Sequence, residues 1–276
     1  MKHLRLLLNF YVHSSIHVAL AVLAMTYVTL LELDLAVDWS LLFFVMFSTI
    51  TGYNFVKYFG LAKFHHRSLA NWLKIIQVFS LVCFLLMIWF ALQLVPQVLV
   101  WVGIFGLVTF LYAVPFLPRH LFMDQKSNLR NIGGIKVYVI AVVWAGVTVL
   151  LPVLNQDARF DLSVWITALQ RFILVILLML PFEIRDLQYD SLRLATIPQK
   201  IGVKNTKIIG IVLAMVFLMF EFVKPNVTYK LILLTMVITI ITVLFIVFSS
   251  QEREDYYSSF WVEGVPIIWL ILHFVF

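Results

Sequence analysis

Charge is what this sequence has least of. Only 12% of its 276 residues are Asp, Glu, Lys or Arg and 63% are hydrophobic, where an ordinary soluble domain is roughly a quarter charged. A mean hydropathy of +1.02 places the chain in lipid. That composition excludes a water-soluble enzyme, a nucleic-acid-binding module and a disordered linker, so no nucleic-acid partner is expected. Cysteine is nearly missing as well: Cys83 stands alone, which rules out an intramolecular disulfide and with it a disulfide-built secreted domain. Cys83 sits within an apolar run and reads as a small buried hydrophobe. Short alternating segments are lacking too, which argues against a transmembrane β-barrel.

What the chain does have is long apolar runs, near 9–33, 38–58, 72–93, 96–116, 135–154, 163–182, 207–222, 229–249 and 257–276. A crossing of about 30 Å takes about 20 helical residues, so these runs predict nine spans. The expected fold is an all-α, multi-pass transmembrane bundle, with 1–276 as a single integral membrane domain. The N-terminus, MKHLRLLLNF, starts basic like a signal peptide. The polar stretch YVHSSIH interrupts its apolar region, however, and no small-residue cleavage site follows, so it is read as the first span.

Sidedness follows from the basic residues. With the N-terminus in the cytoplasm, sixteen of the 20 Lys and Arg fall on the inner side, while Arg159, Lys224 and Lys230 fall outside. This bias predicts an inner N-terminus and an outer C-terminus; the expected location is a bacterial inner (cytoplasmic) membrane. It also accounts for most of the net charge of +6 without an anionic ligand. The longer loops, 59–71, 117–134 and 183–206, are all on the basic side, so chemistry is expected at the cytoplasmic helix ends.

The most informative stretch is PFEIRDLQYD, from Pro181 to Asp190. Glu183, Asp186 and Asp190 follow one another at i, i+3 and i+7, which puts three carboxylates on one face if the sixth span continues through them. Such a face suits Mg²⁺, a hard cation held by one or two carboxylates together with substrate phosphates. It equally suits a solvated helix end on which Arg185 pairs with its acidic neighbours.

The segment from Glu183 to Gly202 resembles the second aspartate-rich motif of the UbiA-type intramembrane prenyltransferases. Asp186 and Asp190 match the acidic pair, Thr196, Ile197 and Pro198 match the turn that follows, and Gly202 matches the glycine. The spacing from Asp190 to Thr196 is one residue shorter than the family pattern. In the first motif of that family, Asn54 matches the asparagine and Arg67 a following basic residue, but Tyr58 and Ala62 occupy the aspartate positions. No Asp or Glu occurs between Asp38 and Asp124, so no shift of alignment restores them.

The resemblance implies a prenyltransferase that moves an isoprenoid group from a prenyl diphosphate to an aromatic or lipid acceptor within the bilayer. It implies Mg²⁺ on Asp186 and Asp190 with Glu183 as an added ligand, and Asn54 beside the metal. Arg67, Arg130, Lys136 and Lys57 are the candidate diphosphate-binding cations. Lys136 opens an apolar helix, whose N-terminal end also favours an anion. Two other readings stay open. A member without catalysis would use the same fold to bind a lipid or isoprenoid, in keeping with the missing first-motif aspartates. A small-molecule transporter would need ionisable groups at membrane depth.

Arg171 is one such group, near the middle of the sixth span. A lone charge there costs at least about 2.5 kcal/mol, so it requires a partner or water. Glu263 and Gln77 are the partners considered from sequence. His13 and His17 are four apart on the first span, a spacing compatible with a metal but more simply with helix-packing hydrogen bonds.

Overall fold

Among the described residues the apolar runs fold as helix, because backbone groups in lipid find partners only within a helix or a closed barrel. The computed structural model describes residues 2–58, 67–113, 134–188, 196–225 and 227–276, with the backbone alone at 2–5, 67–72 and 112–113. Among the described residues there is no strand.

The helices in chain order are α1 (Lys2–His13), α2 (Ile16–Glu32), α3 (Trp39–Tyr58), α4 (Arg67–Ala91), α5 (Pro96–Ala113), α6 (Ile135–Ala145), α7 (Leu151–Asn155), α8 (Leu162–Asp186), α9 (Ile197–Val223), α10 (Tyr229–Val247) and α11 (Val265–Val275). Two π-helical turns complete the set. Gly146–Leu150 joins α6 to α7, and Tyr257–Val262 leads into α11.

Seven of these segments are long and apolar enough to cross a membrane, and an eighth crossing results if α1 and α2, bent by 56°, make one span. The α5 segment is a shorter apolar helix. The architecture is therefore a multi-pass helical bundle in which seven spans stand on length alone, fewer than the nine expected.

Local chemistry sets the helix ends. Asp38 Oδ1 accepts the backbone N–H groups of Ser40 (2.8 Å) and Leu41 (3.2 Å) at the start of α3. Asp161 caps α8 through Val164 N–H at 3.0 Å, and Thr228 caps α10 through Leu231 N–H at 3.3 Å. Such caps satisfy donors that have no partner inside the helix.

The core is built around α8, whose Leu174, Leu177, Leu180 and Ile184 are fully buried. It packs against α6, α9 and α10, while α4 turns Ile75, Val78, Leu81 and Trp89 outward toward lipid. The phenyl ring of Phe105 from α5 occupies the space where Gly146 would carry a Cβ, so only glycine lets α5 approach the first π-turn. In α9 the backbone breaks at Gly202, where φ is 79° and ψ 160°, a conformation essentially confined to glycine.

The alternation of the spans gathers like ends together. The ends of α3 and α8 and the beginnings of α6, α9 and the second π-turn form the face rich in Lys and Arg. The ends of α2, α9 and α11 and the beginnings of α8 and α10 form the opposite face, poorer in Lys and Arg.

Candidate functional site

At the basic face, the junction of α8 and α9 holds most of what the sequence singled out. Glu183 is buried, and its Oε2 accepts the backbone N–H of Ile197 at 3.2 Å, so it serves as a cap for α9. Thr196 donates its own backbone N–H to Gln199 Oε1 at 3.1 Å, and Pro198, which lacks an N–H, sits where a helix start does not need one. Asp186 is held by Arg185, with Oδ1 2.8 Å from Nε and 2.7 Å from Nη2. Arg185 also lies over the Phe182 ring at 5.3 Å and approaches the Asp255 carboxylate at 3.7 Å.

The α8 helix closes at Asp186. The expectation that it runs on to align three carboxylates is therefore corrected: Glu183 is spent on a helix cap, Asp186 is paired, and Asp190 lies outside the described residues. Arg130 lies outside them as well. For Arg67 the description covers only the backbone, at the first position of α4.

Asn54 is fully engaged. Its Oδ1 accepts from Ser15 Oγ (2.8 Å), and its Nδ2 donates to the Ser14 carbonyl (3.0 Å) and to Ser80 Oγ (2.8 Å). The side chain thus splints the break between α1 and α2 to α3 and α4. Tyr58, at a position where the family carries an aspartate, donates its hydroxyl to the His13 carbonyl at 2.9 Å across the same break.

Lys57 donates to Ser15 Oγ at 3.1 Å. Lys57 and Arg185 both lie within electrostatic range of the half-buried Glu263 carboxyl. Lys136 is half-buried at the second residue of α6, after Gly134 with φ 78°, and makes no ion pair with any described residue.

Among the described residues, no group of three or more His, Cys, Asp or Glu converges as a metal site. With Asp186 on Arg185 and Glu183 on Ile197, the described carboxylates do not by themselves make a Mg²⁺ site. His17 is likewise no ligand. Its Nε2 lies 2.8 Å from the Phe260 carbonyl, which can only accept, so Nε2 carries the proton and Nδ1 accepts from the Tyr11 hydroxyl at 2.8 Å.

A second polar centre lies toward the opposite face, and sequence reasoning missed most of it. The partner of Arg171 is neither Glu263 nor Gln77 but Glu32, at the end of α2, with Nη2 to Oε2 at 3.0 Å. Lys224 Nζ reaches the same carboxylate at 3.4 Å and Glu221 at 2.9 Å. Gln170 (3.0 Å) and Thr235 (3.3 Å) donate to the same Glu221 oxygen. The guanidinium of Arg171 lies 4.2 Å over the Trp269 ring. Two carboxylates and two cations thus balance inside the bundle. Glu221 and Lys224 are only three positions apart, but Lys224 follows the seventh run and is the extended residue just after α9, so helical spacing did not announce the pair.

Comparison with known protein families, with characterised proteins and with solved structures finds no match to this chain. What fold and hydropathy define is a class: a multi-pass helical integral membrane protein with separate polar centres toward its two faces.

Proposed function

We propose that this is a membrane protein of the UbiA prenyltransferase type, which takes a prenyl diphosphate at its basic face and transfers the isoprenoid group to an aromatic or lipid acceptor. The α8–α9 corner carries the reading. The positions that match the family motif, Asp186, Thr196, Pro198 and Gly202, are those where α8 stops, α9 starts and the backbone takes a conformation reserved for glycine. On this reading the nine apolar runs are nine crossings, with the N-terminus on the cytoplasmic side of a bacterial inner membrane.

The chain's own cations supply the attraction for the diphosphate. Lys57 and Lys136 present ammonium groups at the basic face, and the exposed N–H groups of α6 add to the field there. Arg67 and Arg130 are assigned to the same role from sequence. Mg²⁺ on Asp186 and Asp190 belongs to the proposal, but no step is derived through it, because the described carboxylates do not complete its site. Exclusion of water by the surrounding helices would protect the allylic cation formed as the C–O bond breaks.

The experiment is binding of farnesyl diphosphate to the purified chain with Mg²⁺ or with EDTA, compared with Asp186→Asn, Asp190→Asn and Lys136→Gln. Loss of a charge-assisted contact, worth about 1.5–3 kcal/mol, weakens binding by at least about tenfold. Equal affinity in all variants overturns the site. Binding without transfer to any aromatic or lipid acceptor selects the second reading, a non-catalytic isoprenoid-binding member. That reading draws on Tyr58 and Ala62 at the aspartate positions and on the committed amide of Asn54.

A further inference from the structure

The face opposite the basic one carries a cavity of about 700 Å³ directly beside the buried ion cluster. Pockets for small ligands and cofactors commonly have about this volume. Glu32, Lys224 and His273 line it at the protein end, and Arg159, Lys230, Asp34 and Asp161 line it elsewhere.

Two observations point to a ligand. His273, which lines the cavity, is only 7% exposed, yet its Nε2 has no hydrogen-bond partner. Buried polar atoms are rarely left so, and each one needs an explanation. Furthermore, Arg159 and Lys230 form no ion pair with Asp34 or Asp161; Lys230 donates to the His273 carbonyl at 3.1 Å and Asp161 spends one oxygen on the Val164 N–H, so among the described residues two cations and two carboxylates line one space with no partner of opposite charge.

The charge balance selects the ligand chemistry. The inner cluster is already neutral, with Glu32 and Glu221 against Arg171 and Lys224. An added anion or cation would leave one sign of charge uncompensated at low dielectric. A molecule carrying both signs meets both sets at once.

We propose that this cavity binds a net-neutral zwitterion bearing an ammonium and a phosphate or carboxylate. The acid meets Arg159, Lys230 and His273, and the ammonium meets Asp34 and Asp161. Exposed Phe160, Trp165, Tyr229 and Phe274 stand among or next to the lining residues. Aromatic residues of this kind mark the headgroup level of a bilayer, so the cavity opens where a zwitterionic phospholipid presents its headgroup. A soluble zwitterion has the same chemistry, and the experiment separates the two. The site is independent of the prenyl diphosphate reading, because it lies at the other face.

The test is native mass spectrometry of the delipidated full chain with phosphatidylethanolamine, phosphatidylglycerol and water-soluble glycerophosphoethanolamine. It is repeated on the Arg159→Ala/Lys230→Ala double variant, both of whose side chains are exposed, and on His273→Ala. The expected result is phosphatidylethanolamine held at least tenfold more tightly than phosphatidylglycerol, with a tenfold loss in the double variant. If glycerophosphoethanolamine binds as well as the lipid, the site takes the headgroup chemistry from solution; if only the lipid binds, the source is the membrane. The proposal falls if phosphatidylglycerol binds as tightly as phosphatidylethanolamine, if the double variant keeps wild-type affinity, or if neither ethanolamine compound binds.

Discussion

Removing the two ends of the buried ion pair should have unequal consequences. Arg171 is fully buried and its closest acceptor is Glu32 at 3.0 Å, whereas Glu32 also has Lys224 at 3.4 Å. The substitution Glu32→Gln therefore leaves Arg171 a buried cation with no carboxylate at hand, resting on the Trp269 ring at 4.2 Å. An uncompensated buried charge of this kind costs about 3–5 kcal/mol, and the Trp269 contact, present before and after the change, offsets none of it. The substitution Arg171→Met leaves Glu32 still paired with Lys224. It forfeits one charge-assisted contact, about 1.5–3 kcal/mol, and recovers part of the cost of burying a guanidinium. The expected order of stability is wild type, then Arg171→Met, then Glu32→Gln, with the double variant more stable than Glu32→Gln alone. Equilibrium unfolding by SDS titration in mixed micelles measures all four. An ordinary hydrogen bond within a membrane protein contributes about 0.6 kcal/mol, so the charge effect stands clear of that background. If Glu32→Gln lies within that margin of wild type, or if Arg171→Met is the more damaging change, the electrostatic account of this cluster is wrong.

Two further substitutions probe the basic face. A Cβ on Gly202 meets nothing within 4 Å, so Gly202→Ala isolates the backbone cost of φ 79°. The same titration should show a loss of about 1–3 kcal/mol, and an unchanged midpoint would remove the argument that this position needs glycine. Asn54→Ala deletes three side-chain hydrogen bonds, which at about 0.6 kcal/mol each amounts to roughly 2 kcal/mol, while farnesyl diphosphate affinity stays within twofold. Loss of affinity at undiminished stability would return Asn54 to the binding site that the sequence assigned it.

Hydropathy made the helices legible because lipid leaves the backbone no alternative, and among the described residues the apolar runs became helical. It did not reveal the break at Ser14 and Ser15. The polar letters YVHSSIH were visible, but the bend of 56° depends on Asn54 and Ser80, which lie far away in sequence. Arg171 was marked as needing a partner, yet Glu32 is 139 positions distant and closes its own run, where an acid reads as the edge of a loop. Lys224 was counted as a loop charge and proves to be buried between two carboxylates. At the α8–α9 corner the motif spacing located the residues but not their tasks. The pairing of Arg185 with Asp186 was one of the two readings the spacing offered, but nothing in the letters says that Glu183 accepts from Ile197.

The splint at Ser14 and Ser15 also makes the first bend a property of four helices. The Ser14 carbonyl receives its side-chain bond from Asn54 on α3, and Asn54 in turn is held by Ser80 on α4. A backbone carbonyl freed by a break needs such a donor, so the angle between α1 and α2 is written partly in the residues of α3 and α4.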